Sequence, residues 1–119
     1  MKTNDAVVAL AALAQDTRLA VFRLLVEQGA VGMSAGEIAE KVGIAPAALS
    51  FHLKELAHAR LVKSRQDGRY VFYSADFASM NRLLAFLTEN CCAADGGTCG
   101  PAACAPSPST RITSRKVKA

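Results

Sequence analysis

The sequence predicts an α+β fold, mainly α, in which short helices and one hairpin form a domain framed by two more apolar helices. Three observations lead there. Apolar residues recur at helical spacing in five separate stretches. The capping box Ser34-Ala35-Gly36-Glu37, followed by Gly43 and Pro46, sets two of these stretches on either side of a tight turn. Two β-prone runs meet around Asp67-Gly68, a strong hairpin signal. A length of 119 residues suits one domain with a tail, and a hydrophobic content of 51% supplies a core. A domain this small hides only a modest share of its surface, so dimerisation is a natural way to finish its burial. No run of eighteen apolar residues occurs, so no membrane span is expected. No signal-peptide pattern follows Met1, and the expected location is the cytoplasm.

Residues 6–14 form the first expected helix, apolar on nearly every side. Such a helix must be covered all round, and in a one-domain protein a second subunit is the natural cover. Asp16 is placed to cap a second helix, Thr17 to about Gln28, with Leu19, Phe22, Leu25 and Val26 as its buried face and Gly29 as its stop. In the third helix Ile38, Ala39 and Val42 face inward and Gly43 ends the run. Pro46 opens the fourth, because the first helical residue has no intrahelical use for its N–H. Leu49, Leu53, Leu56 and Arg60 then fall on one stripe. The same rotation turns Ala47, Ser50, Phe51 and Lys54 away from it. Small, hydroxyl and cationic side chains near a helix N-terminus fit a DNA major groove, where Ser reaches base edges or phosphates and apolar groups touch thymine methyls. The solvated side of an ordinary amphipathic helix gives the same pattern. What surrounds this helix favours the first reading: two helices across a tight turn, the second with such a face, make a helix-turn-helix.

The runs Leu61–Arg65 and Tyr70–Ser74 are β-prone, with Gln66-Asp67-Gly68-Arg69 between them. Behind a helix-turn-helix such a hairpin is a wing. Arg65, Gln66 and Arg69 are its candidate DNA contacts, reaching phosphates or an adjacent minor groove. Ser74-Ala75-Asp76 caps a last helix to about Cys91, with Phe77, Met80, Leu83, Leu84 and Leu87 on its apolar side. This helix and the first are the expected dimer surface. Charge follows the same plan: residues 41–73 carry six cations against two carboxylates, whereas residues 1–40 carry three against five. The middle of the chain is the electropositive part, as a nucleic-acid contact surface would be. The expected organisation is a winged helix-turn-helix and dimerisation domain over 1–92, a Cys-rich loop over 93–106 and a basic tail over 107–119, rich in polar residues and expected to be disordered.

All four cysteines, Cys91, Cys92, Cys99 and Cys104, lie in one window of 14 residues. In a cytoplasmic chain they are a poor disulfide framework, and clustered thiols with Gly96 and Gly97 between them suggest a soft-ion site. A zinc or cadmium site, a thiol redox switch and an inert tail stay open beside it, although the spacing lacks the paired pattern of structural zinc. An enzymatic reading has little support. A phosphatase-like thiol needs five residues between Cys and Arg, whereas Cys104 and Arg111 have six between them. His52 and His58 are remote in sequence from every cysteine, and no phosphate-cradling glycine loop appears.

Asp16-Thr17-Arg18-Leu19, Leu49-Ser50-Phe51-His52-Leu53, Leu61-Val62 and Gly68-Arg69-Tyr70 through Tyr73, in this order of elements, resemble the arsenic-repressor (ArsR/SmtB) family of winged helix-turn-helix regulators over residues 6–90. The resemblance implies a homodimer that represses by holding double-stranded operator DNA and lets go when a metal or metalloid binds. It makes Ser50 and His52 part of the recognition helix and Arg69 the wing-tip cation. Two inducer sites known in the family are excluded here: residues 35–43 hold no Cys, and residues 76–90 hold no His. A subset of the family has an adjacent Cys pair ending the last helix with a third Cys shortly after. In that likeness Cys91, Cys92 and Cys99 would bind trivalent arsenic, or antimonite, as three thiolates, with Cys104 spare. The alternatives are a zinc- or cadmium-responsive repressor and a DNA-binding module whose cysteines hold a structural metal.

Overall fold

The computed structural model describes residues 1–95. Expectations for the chain beyond them, Cys99, Cys104 and the basic tail included, lie outside the described residues. The chain divides into two compact units, Met1–Leu83 and a second beginning at Leu84.

Helix α1 (Thr3–Leu13) opens with the Asp5 carboxylate accepting the Lys2 backbone N–H at 3.3 Å. Its buried residues are Ala6, Ala9 and Ala12, a strip of methyl-sized side chains that lets the helix lie close on α2 and α4. The larger Val7, Val8 and Leu10 are exposed. Among the described residues, then, this apolar helix is covered mainly along its alanines, with Leu13 half-buried at its end.

Helix α2 (Asp16–Gln28) starts one residue earlier than the sequence suggests, because the cap is Gln15 and not Asp16. The Gln15 side-chain oxygen accepts the Arg18 backbone N–H at 2.9 Å, a bond that Asp16 cannot make from inside the helix. Its core face is Val21, Phe22 and Leu25, with Val26 half-buried at the margin; Leu19 is exposed, off the side those residues define. A 3₁₀ turn (Gly29–Val31) leads into β1 (Met33–Ser34), a strand too short to announce itself in the sequence.

Helix α3 (Ala35–Val42) carries the expected capping box in full: the Glu37 N–H donates to Ser34 Oγ at 3.3 Å and the Ser34 N–H to Glu37 Oε1 at 3.0 Å. Gly43 ends it in the left-handed region, and the Gly43 and Ile44 N–H groups both donate to the Ala39 carbonyl. Helix α4 (Pro46–His58) buries Leu49, Leu53 and Leu56 against α2 and α3, with Pro46 in the first turn. Arg60 does not continue that stripe. It lies beyond the helix end at φ +65°, with Leu61 N–H on the Leu56 carbonyl and Arg60 N–H on the Ala57 carbonyl. This is the Schellman closure, with arginine where glycine is usual, and it turns the chain straight into the sheet.

Strands β2 (Val62–Asp67) and β3 (Tyr70–Ala75) pair antiparallel from Val62↔Ala75 to Asp67↔Tyr70, which leaves a two-residue loop of Gly68 and Arg69. Gly68 takes φ +64°, a conformation glycine adopts without steric cost. β1 adds to the other edge of β3 through Met33↔Tyr73 and Ser34↔Phe72, giving the order β1-β3-β2. Helix α5 (Phe77–Thr88) is capped by Asp76, whose Oδ1 accepts the Ser79 N–H at 3.1 Å. It stops three residues short of Cys91, and Asn90 and Cys92 follow with positive φ in the turn beyond it. Of its expected apolar side, Leu83 is buried, whereas Leu84 and Leu87 are exposed. Among the described residues no helix is long and apolar enough to cross a membrane.

Gly32 sits at φ +75°, ψ −172°, a region open essentially to glycine alone, and a Cβ there would lie 2.4 Å from the Tyr73 carbonyl oxygen. Gly32→Ala is expected to destabilise by at least ~2 kcal/mol in urea unfolding. Gly36→Ala, inside α3 with nothing within 4 Å, is the control and should stabilise by ~0.5–1 kcal/mol. Equal effects of the two changes would contradict the close approach of β1 to β3.

Candidate nucleic-acid interface

Burial of Leu49, Leu53 and Leu56 decides which side of α4 faces out. Ala47, Ser50, Phe51 and Lys54 are all exposed on that side, Phe51 by 56% although it is a large aromatic. An exposed phenylalanine beside a serine and a lysine, in the first turns of a helix, is a surface equipped for thymine methyls, base edges and phosphates. Pro46 and the absence of a side-chain cap leave the helix N-terminus open as well.

His52 is held differently from its neighbours. It is half-buried, and its Nδ1 lies 3.4 Å from Arg18 Nη1. The same guanidinium donates from Nε to the Ala12 carbonyl at 2.7 Å, so Arg18 joins the end of α1 to the outward helix. The His52 ring meets Phe51 edge-on, centroids 5.6 Å apart. The Asp16-Thr17-Arg18-Leu19 stretch is noticeable in the sequence, but nothing in its spacing points to a partner 34 residues away.

Every β2 residue after Val62 is exposed, so the hairpin projects as an arm. Arg69 occupies its tip, as expected. Arg65 does not: it pairs across the sheet with Phe72, two pairs back from the last one, and its guanidinium lies 5.0 Å from the Phe72 ring centroid. The reason is the tighter turn, which takes Gln66 and Asp67 into the strand. Gln66 stands there opposite Val71, its amide donating to the Gly68 carbonyl at 3.4 Å, and so braces the tip. Arg65, Lys63 and Asp67 share one face of β2 with Tyr70 and Phe72 on β3. Tyr70, exposed at the end of the arm, is an aromatic absent from the expected contacts.

Cys91 and Cys92 occupy the turn after α5 with their sulfurs 3.5 Å apart. Cys91 is a half-buried free thiol, and Cys92 is disulfide-bonded. No group of three or more His, Cys, Asp or Glu side chains able to hold a metal ion occurs among the described residues. Of the three expected thiolates, the described residues therefore hold Cys91 as a free thiol and Cys92 as a disulfide sulfur.

Residues 13–65 match the family model described as a helix-turn-helix domain. Nodulation protein NolR of Rhizobium meliloti is 34% identical over 91 residues, 74% of this chain and 72% of NolR. An ArsR-like transcriptional regulator from Rhodococcus sp. RHA1 superposes with a TM-score of 0.63 at 28% identity, covering 71% of this chain and 76% of that one. The homodimeric winged helix-turn-helix DNA-binding domain of Mb0332 from Mycobacterium bovis, a possible ArsR-family regulator, superposes at 0.60 with 27% identity, over 71% of this chain and 75% of that one. The helix-turn-helix, the wing and these likenesses agree: the chain belongs to the ArsR family of winged helix-turn-helix, DNA-binding transcriptional regulators.

Proposed function

We propose that this chain is a cytoplasmic, homodimeric repressor that holds operator DNA through α4 and the wing, and releases it when trivalent arsenic is taken up by Cys91, Cys92 and Cys99. The observation that carries the arsenic reading is the adjacent sulfur pair, 3.5 Å apart, in the turn that ends α5, and the arsenic-binding form is the one in which Cys92 has been reduced to a thiol. Soft thiolates suit a soft ion, and trivalent arsenic takes three of them in a pyramid. Cys99 and Cys104 lie outside the described residues; the first supplies the third sulfur and the second is spare in this scheme. Antimonite is a close chemical relative of arsenite and would use the same set.

The dimer reading draws support from α1, whose Val7, Val8 and Leu10 are exposed while its alanines are buried, and from the exposed Leu84 and Leu87 of α5. Two copies would set their α4 helices about 34 Å apart, one turn of DNA, on an inverted repeat. Ala47, Ser50, Phe51, His52 and Lys54 would meet the major groove. Arg65, Gln66 and Arg69 would serve the phosphates. Closing a loop on arsenic at the end of α5 would alter the subunit spacing. A coupling of roughly 1–3 kcal/mol gives 5–150-fold weaker operator binding. A second reading is favoured by the disulfide at Cys92: oxidation of the thiols in place of metalloid capture as the signal.

The deciding experiment uses reduced, purified full-length protein on a duplex enriched by that protein from a random-sequence library. Arsenite should release it, with the metalloid recovered on the protein, whereas zinc, cadmium and mild oxidation should not. Release by zinc or cadmium, or by oxidation alone, would overturn the arsenic reading. Cys92→Ser should bind the duplex as the parent does and lose release by arsenite. Cys104→Ser should respond like the parent. Arg69→Ala should weaken binding to all sequences alike and reduce the slope of log affinity against log salt by about one. An unchanged slope would take Arg69 out of the phosphate contacts.

A further inference from the structure

We infer that Arg18 is a positioning residue for DNA reading: it holds His52 as the Nε2–H tautomer and so sets which hydrogen-bonding edge the ring offers to a base. The inference rests on the DNA-reading role proposed for α4.

Arginine donates from all its nitrogens and accepts at none. A ring nitrogen 3.4 Å from Arg18 Nη1 therefore serves as acceptor, and the proton of the neutral ring resides on Nε2. The guanidinium has little freedom to give this up. Its Nε is fixed on the Ala12 carbonyl at 2.7 Å, and the Arg18 backbone is itself capped by Gln15. Phe51, edge-on at 5.6 Å, limits the ring from the neighbouring position. Nε2 has no hydrogen-bond partner among the described residues.

The tautomer matters because the two forms read opposite edges. An Nε2–H donor suits guanine O6 and N7, adenine N7, thymine O4 or a phosphate oxygen. The other tautomer would present a bare acceptor and would suit cytosine N4–H or adenine N6–H. Arg18 touches no base in this scheme; it acts through His52.

Nitrogen-15 spectra of the free protein should show His52 as the Nε2–H tautomer, and Arg18→Met should give a mixture. On the duplex enriched by the wild-type chain, Arg18→Met should lower affinity about tenfold, the size of one lost hydrogen bond to a base edge. Binding to a random-sequence duplex should be unchanged. In a His52→Ala background the same substitution should have no further effect. Equal losses with and without His52 would make Arg18 a direct contact and overturn the inference. So would a wild-type ring protonated at Nδ1, a measurement that needs no variant to fold. His52→Ala binding like the wild type would remove the ring's reading role and the inference with it. Failure of the wild-type chain to enrich any duplex would instead overturn the proposed function, and the tautomer in the free protein then judges the Arg18 geometry alone.

Discussion

Burial of three leucines on one side of α4 is the constraint from which the remaining geometry follows. Leu49, Leu53 and Leu56 are all but inaccessible, and each such side chain contributes roughly 1.5–3 kcal/mol when removed from water. Rotating α4 to hide Phe51 would expose one or more of them. The helix is thus locked in azimuth by its own hydrophobic stripe, and the outward residues are displayed without needing contacts of their own. The capping box on α3 and the left-handed Gly43 fix the angle at which α4 leaves the turn. A surface displayed this way depends on the core behind it more than on its own side chains.

Local signals were legible in the sequence where their physics is local. The capping box, Gly43, Pro46 and the Asp76 cap each involve residues within one turn, and all were found where the spacing placed them. Apart from the cap of α2, which is Gln15 and not Asp16, the misreadings have a different origin. Arg60 extends the leucine periodicity on paper, yet the helix closes before it, because the chain must turn into β2 and pays for that with a left-handed arginine. Periodicity says which face a residue would occupy; it does not say where hydrogen bonding stops. Leu19 shows a related limit near the start of a helix, apolar but on the wrong side. β1 consists of two residues, and its existence depends on β3, far later in the chain, being beside it. Arg18 and His52 belong to separate motifs, and only the folded chain brings them together.

Within α1 the division of labour is by size. Ala6, Ala9 and Ala12 let the helix approach its own protomer closely, while Val7, Val8 and Leu10 keep their apolar surface in solvent. A helix whose larger side chains face away from its own core has most of its hydrophobic stabilisation still to gain. Arg18 reaches the end of this helix, at the Ala12 carbonyl, and His52 on α4 at the same time. A rearrangement at α1 would therefore be felt at α4 through this side chain as well as through their direct packing.

Among the described residues the strand order β1-β3-β2 leaves β2 with one edge unpaired along its whole length. An open edge of this kind is a template on which a second chain can add a strand. Here it is studded with Lys63 and Arg65, charges that repel a like edge from another copy. Lysine and arginine on such a strand oppose edge-to-edge addition whether or not nucleic acid is bound. Neutralising them would leave a bare edge, the kind of surface on which chains add to one another and aggregate.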